Sequence, residues 1–537
     1  MEFDKLLQEY IGEIGPYQVW LLFWLSWFWI WGTFNTMGIV FLAAVPDHYC
    51  LTSALQNLSL SQDIYLNISI PHDGKKYSNC EMYDRNYTDV TDDDVQNWLQ
   101  NNNSNVDAIA CKQWMYDTSV YKTSLVSEWD LVCDNEWKIA TVQSAYALGN
   151  LIGIVFFGQV ADLIGRRPVI LFTSIGVVAS HVGEVLSVNY PMFLAMRVIL
   201  AINSGGCFTA AFVHAIELVG PKWRTAVGIL PQYMWGVGYL LLAAITYGIR
   251  DWFTLALALA GPQLLNFIFI FILPESARWL YAKEKKIQGD KVVKKIAKWN
   301  KTKLPDILNV EIKEPEHKTQ ATLLDLFRTP NLRLISMIQF FIWFVTSMVY
   351  YGLSLNSSNL GGDPYINFLI SAGVEIPAYA LFHFLLRKLG RRVCTCLTLT
   401  IGGLALLCLL PVSEEHQIVI LVLSMTGKFM VSGTFAIIYL YSAELFPTPV
   451  RTVGVGCSSM FARVGAIVAP YIGQLPFLAR HLHGIKYAPS IIFGAFSFAA
   501  GLLTLLLPET LGKNLPETLE EGELMSKRTS YRKVLRL

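Results

Sequence analysis

The sequence predicts an all-α membrane protein: twelve transmembrane helices in two pseudo-symmetric six-helix bundles, with a large extracellular loop after the first helix. Three observations carry that prediction. The 537 residues are 53% hydrophobic and 15% charged, where a soluble domain carries roughly a quarter charged. The apolar residues come in blocks: Tyr17 to Pro46 holds no Asp, Glu, Lys or Arg, and about 20 apolar residues suffice to cross a bilayer. Three short motifs also recur in the same order in the two halves of the chain.

The elements follow in order. Residues 1–16 lack the basic start of a signal peptide, and the block after them is too long for its apolar core, so 17–44 reads as a retained first helix. A polar loop covers 47–137. Helices two to six are expected at 138–159, 168–187, 191–214, 226–248 and 252–273, completing an N-terminal bundle over 17–273. The polar segment 274–333 divides the chain. Helices seven to twelve follow at 334–353, 365–386, 393–411, 417–440, 453–475 and 487–507, a C-terminal bundle over 334–507 with a tail at 508–537.

The basic residues set the orientation. GRRP, PKWR, the 274–333 segment, RKLGRR and the tail fall on one side, whereas connections such as LSLNSSNLGGDP and PVSEEHQ hold no Lys or Arg. The positive-inside rule puts both termini and the middle loop in the cytoplasm. The 47–137 loop is then extracellular, and it carries glycosylation sequons at Asn57, Asn67, Asn86 and Asn102. It also holds Cys50, Cys80, Cys111 and Cys133, which suits disulfides in an oxidising compartment. Their pairing has three possibilities. Asn300-Lys-Thr is a sequon on the other side and is expected to stay bare.

The repeat is specific. IELVGPKWRTAVG returns as AELFPTPVRTVGV, so Glu217 and Arg224 recur as Glu444 and Arg451, 227 residues on. GQVADLIGRR is echoed by FLLRKLGRR, and PES at Pro274 by PET at Pro508. Duplicated halves around a midplane cavity are the architecture of transporters that rock one half against the other. Asp162, Gly165, Arg166 and Arg167 are expected to latch the cytoplasmic side against Glu217, Arg224, Glu444 and Arg451 across the half interface. Arg387 stands in the second copy where the first has Asp162, so the latch is not symmetric.

GQVADLIGRR resembles the G-x-x-x-D-x-x-G-R-R signature of the major facilitator superfamily. SEWDLVCD, PESARWL, YSAELFPTPVR and PETLG, with the cysteine-bearing first loop, resemble one branch of it over essentially the whole chain: the organic cation, organic anion and carnitine transporters. That resemblance implies the major facilitator fold, a substrate between the bundles and a plasma-membrane location.

Ionisable residues inside the spans are functional candidates by default. Arg463 offers a planar fork of donors matched to a carboxylate, and Glu375 is a partner for an ammonium group. Cation transporters of the resembled branch show an aspartate in the Arg463 slot. Anion transporters have arginine there and often a lysine at the position of Tyr379. The combination of Arg463, Glu375 and Tyr379 resembles the carnitine type, whose substrates carry both charges. Trp343 and Tyr350 lie seven residues apart on one helix face and could hold an ammonium by cation–π attraction. Gln232 and Asn35 are polar residues in apolar spans that match substrate-facing positions of the branch. An alternative has Glu375 paired with Lys428, which shifts the substrate towards organic anions. Arg197 reads as structural.

The expected activity is secondary transport by a monomer in the lipid bilayer, with carnitine-like zwitterions favoured over simple anions or cations and the coupling ion open. No cofactor and no metal are expected, and a net charge of +1 gives no reason to expect a nucleic-acid partner. A membrane enzyme would need a catalytic constellation such as H-E-x-x-H, which the sequence lacks. A transport-inactive receptor is the remaining alternative.

Overall fold

The computed structural model describes residues 3–52, 55, 60–72, 77–87, 90–100, 106–305, 323–413, 415–478, 487–513 and 515–527. The chain forms two compact units, one of residues 1–40, 140–247 and 256–537, the other of residues 41–139 and 248–255.

Helices occupy all twelve expected places: α1 Pro16–Met37, α2 Trp137–Ile164, α3 Arg166–Val185, α4 Tyr190–Glu217, α5 Pro221–Gly248, α6 Trp252–Ile272, α7 Pro330–Leu355, α8 Pro364–Leu389, α9 Arg391–Leu407, α10 Gln417–Leu445, α11 Arg451–Gly473 and α12 Ala488–Thr504. Among the described residues, ten of these are long and apolar enough to cross a membrane by length and composition, α9 and α12 being shorter.

In the larger unit α3 packs on α4 and α4 on α1, while α7 packs on α11 and α9 on α10 and α12. Without a hydrophobic drive between helices in lipid, close backbone approach supplies the attraction. Gly149 and Gly153 show how: a Cβ on Gly153 would lie 2.0 Å from the Ile202 carbonyl oxygen, so α2 and α4 meet only because the position is bare.

Two local interruptions shape the interior. Helix α8 breaks at Val374, between Pro364–Gly373 and Glu375–Leu389; Pro377 has no N–H to return to Gly373. Helix α6 tightens to a 3₁₀ stretch over Gly261–Ile268, opened by Gly261-Pro262. At the other end of the bundle, Phe3, Leu7 and Ile11 bury themselves among Tyr281, Val293 and Ile296. The helix Lys286–Asn300 ends with Asn300 accepting from the Tyr17 amide at 3.0 Å, which satisfies an orphan donor at the start of α1.

The smaller unit contains two antiparallel strand pairs, β1 His48–Cys50 with β4 Trp114–Tyr116 and β2 Glu81–Tyr83 with β3 Ala108–Ala110. Disulfides join Cys50 to Cys111 and Cys80 to Cys133. Its core is small, centred on Tyr65, Leu66, Ile68 and Tyr87, and covalent staples supplement such cores. Burial, then the hydrogen bond to Asp130, raises the Tyr116 hydroxyl above a tyrosine's usual range. Asn67 and Asn86 are exposed; Asn57 and Asn102 lie outside the described residues.

Candidate functional site

A cavity of about 180 Å³ sits in the larger unit, lined by residues from α1, α2, α4, α5, α7, α8, α10 and α11. Its wall is rich in aromatic side chains: Tyr146, Phe208, Trp235, Tyr350, Tyr351, Tyr379, Phe435 and Tyr439. The polar groups are few. Gln232 faces it with a buried Oε1 that has no hydrogen-bond partner, and Asn150 and Gln143 add two amides.

Arg463 lies on this wall. Among the described residues no carboxylate reaches it at ion-pair distance, and its buried Nε has no hydrogen-bond partner. Arg197 also lines the cavity, but its charge is met by Glu184, with Nη1 3.2 Å from Oε1. The cavity therefore presents one uncompensated guanidinium to whatever enters it.

Glu375 is placed otherwise than the sequence suggested. It is fully buried behind the wall, 2.8 Å from Lys428 Nζ. Tyr350 donates to Glu375 Oε1 at 2.7 Å and Tyr379 to Oε2 at 3.2 Å. Lys428 donates to Ser354 Oγ and lies 3.7 Å from the centroid of the Tyr350 ring. Removing two charges from water is compensated only by such close pairing and full hydrogen bonding. Glu375 thus orients the cavity tyrosines from behind, as the alternative with a Glu375–Lys428 pair has it, and does not face the cavity.

Of the other expected substrate residues, Tyr350, Tyr379 and Gln232 line the cavity. Trp343 does not. It is buried between helices, with Nε1 donating to Ser442 Oγ at 2.9 Å, because α7 is buried over most of its surface and one face no longer means one environment. Asn35 is likewise withdrawn, sharing hydrogen bonds with His181 and Gln263.

The repeated motifs assemble with each other inside each half. Gly165 takes φ +113°, and the Arg166 amide donates to Glu275 at 2.9 Å, the Arg167 amide at 3.3 Å. The Arg166 guanidinium then grips Glu217 at 2.9 Å and Asp162 at 2.9 Å. In the second half Gly390 takes φ +88°, the Arg391 and Arg392 amides donate to Glu509 at 2.8 and 3.0 Å, and Arg391 pairs with Glu444 at 2.9 Å. A carboxylate at a helix N-terminus complements the exposed amides and the dipole. Glu275 and Glu509, of PES and PET, were not singled out from the sequence, although the repeat itself was the signal. Among the described residues, the expected pairing across the half interface is not found in this conformation. Arg224 pairs with Asp4 at 2.6 Å, and Arg451 Nε donates to the Phe446 carbonyl at 3.2 Å.

As to metals, His48, Cys80 and Cys133 lie within 4.8 Å of one another among the described residues. The two cysteines are bonded to each other and offer no thiolate.

Comparison with known proteins adds the family. The sequence pattern of the sugar (and other) transporter family matches residues 100–521. The chain is 39% identical to an organic cation transporter protein of Drosophila melanogaster, over 98% of this chain and 96% of that one. It is 34% identical to organic cation/carnitine transporter 2 of Mus musculus, over 97% and 94%, and 33% identical to a β-alanine transporter of Drosophila melanogaster, over 97% and 89%. Among solved structures, the xylose transporter XylE from E. coli in a partially occluded inward-open conformation has the same fold, with a TM-score of 0.55 at 18% identity over 71% of this chain and 90% of that one. With helices, cavity and repeated motifs all in place, the chain belongs to the sugar (and other) transporter family of the major facilitator superfamily, among its organic cation and carnitine transporters, and is a multi-pass membrane transporter of small organic solutes, not an enzyme.

Proposed function

We propose that the protein carries small zwitterions of the carnitine type across the plasma membrane by alternating access, with both termini in the cytoplasm and the disulfide-bonded unit outside. Arg463 takes the carboxylate. The ammonium end rests on the aromatic wall, chiefly Tyr350, Trp235 and Phe435. The observation that carries this reading is an arginine with no carboxylate partner among the described residues, on a small cavity rich in aromatic side chains. Cation–π attraction holds an ammonium with about 0.5–2 kcal/mol per good face, so no free carboxylate is required at that end. Trp235 Nε1 donates to Tyr350 at 2.9 Å, which fixes the ring at the angle it presents. Two relatives carry a zwitterion in their names, carnitine and β-alanine.

A second reading is supported by the buried Glu375–Lys428 pair: with Glu375 neutralised, Arg463 alone sets the charge preference, and organic anions are substrates too.

Radiolabelled uptake separates the two. Carnitine, β-alanine, choline and a simple aromatic carboxylate are compared in wild type and Arg463→Ala at matched surface expression. Zwitterion uptake falling by about 10–100-fold in the variant, the worth of a charge-assisted hydrogen bond, supports the first reading. Transport of the carboxylate alone supports the second. Choline uptake that survives Arg463→Ala sinks both.

A further inference from the structure

We infer that His181, Glu184 and Arg197 form a proton-binding site coupled to the cavity, and that the protein moves a proton together with its solute. Arg197 is one of the residues that line the cavity and is tied back by Glu184 Oε1 at 3.2 Å and by the Asn35 carbonyl at 2.5 Å. The other oxygen of Glu184 lies 3.2 Å from His181 Nδ1. One carboxylate is thus shared between an arginine on the cavity and a histidine behind it. Nothing in transporter architecture as such calls for this triad, and ionisable groups buried at membrane depth mark ion and proton pathways.

The far side of the ring makes the site able to hold either charge. His181 Nε2 is 2.9 Å from Asn35 Oδ1, an acceptor, and 2.7 Å from Gln263 Nε2, a donor. A bare Nε2 accepts from Gln263. A protonated Nε2 donates to Asn35, while the Gln263 amide keeps Asn35 Oδ1 at 2.8 Å and the Leu259 carbonyl at 3.3 Å. Each form finds one partner for Nε2, and the change between them asks only that the Gln263 or Asn35 side-chain amide turn, not that a helix move. Among the described residues, the charged and titratable groups around the ring are Glu184 on its own helix and Arg197 from α4, with Tyr146 of α2 beneath the guanidinium at 4.7 Å. Helices α1 and α6 present only the amides of Asn35 and Gln263.

The coupling follows from the shared carboxylate. Neutral His181, with Nε2 bare, already donates from Nδ1 to Glu184 but brings no charge to compete with Arg197. Protonated His181 competes for Glu184 and loosens its hold on Arg197, whose Nε has no hydrogen-bond partner. The guanidinium is then available to an anionic group in the cavity. Protonation raises affinity for that group, and by linkage the bound group raises affinity for the proton. The proton is taken from water on the side of entry and released on the other, so the two travel in the same direction.

The purified protein is reconstituted in proteoliposomes holding a pH dye, and tested with whichever of the four solutes above is transported, so failure of the zwitterion reading leaves this test intact. Solute uptake without an imposed gradient acidifies the lumen. With one proton per solute, an inward difference of about one pH unit raises accumulation by up to about tenfold. In His181→Gln the ratio of uptake with and without the gradient falls to about one. Wild-type uptake with no lumenal acidification overturns the inference without reference to any variant. So does His181→Gln uptake that still follows the gradient.

Discussion

Lys428→Met leaves the Glu375 carboxylate buried with two tyrosine donors and no counter-charge. Breaking such a pair from one side destabilises by about 3–5 kcal/mol, whereas replacing both partners by neutral groups is far milder. Lys428→Met is therefore expected to melt well below wild type in detergent, and Glu375→Gln/Lys428→Met to recover most of the loss. A thermal-shift series reads this directly; a double variant no better than the single one would show that the ion pair is not what holds these side chains. Gly165 gives a second contrast. Its φ is +113°, and a Cβ there would lie 2.3 Å from Glu275 Oε2, so Gly165→Ala meets backbone strain of about 1–3 kcal/mol and disturbs the carboxylate on the amides. Gly228, in the interior of α5, has nothing within 4 Å of an added Cβ. Gly228→Ala is expected to be neutral or to gain up to about 1 kcal/mol, measured in the same series.

At the level of elements, Asn300 has a testable double character. It carries a sequon, yet its side chain is occupied: it accepts from the Tyr17 amide and donates to Gln18 Oε1 at 2.8 Å and to the Ile11 carbonyl at 3.3 Å. Asn300→Ala is expected to leave the glycosidase-induced shift in gel mobility unchanged while lowering stability by about 0.5–2 kcal/mol, as loss of a helix cap does. Asn67→Gln and Asn86→Gln are expected to reduce that shift, since both side chains are exposed in the disulfide-bonded unit. The elements themselves were legible because a spanning helix is written in composition over some twenty residues. Partner choice was not. His181 and Glu184 were not singled out from the sequence; they lie near the end of 168–187, and only the packing of α3 against α4, α1 and α6 makes them one network with Arg197. Glu375 follows the break at Val374, and that break turns it away from the cavity by an amount no periodicity encodes. Trp343 and Tyr350 share a face, but with most of α7 buried there is no clear polar side to fix its rotation.

For the whole molecule, the repeat in the sequence foretold two like halves, and the halves differ in how they meet at their two ends. Hydrogen bonds join them through Thr141 with Tyr471 at 3.2 Å, Ser144 with the Ile467 carbonyl at 2.6 Å, and Tyr239 with Ser371 at 3.4 Å. All three lie towards the helix ends opposite the Gly-Arg-Arg motifs. At the Gly-Arg-Arg ends, among the described residues, the ion pairs of Arg166 and Arg391 stay inside their own halves. Such an arrangement fits a conformation closed at the helix ends opposite the Gly-Arg-Arg motifs and open at the Gly-Arg-Arg ends, which we place in the cytoplasm. Cysteine labelling tests it. The free thiols Cys207, Cys394, Cys396, Cys408 and Cys457 are first replaced, leaving the disulfides. Ser459→Cys, on the cavity wall, is then expected to react with a charged thiol reagent applied to inside-out vesicles, and Ser144→Cys, sealed against Ile467, to be protected from outside. Adding substrate lets the halves rock, so external reactivity at Ser144→Cys should rise while that at Ser459→Cys falls. Equal reactivity of Ser144→Cys from outside with and without substrate, in a variant that still transports, would mean that these bonds are not the closed gate and that the two halves part elsewhere.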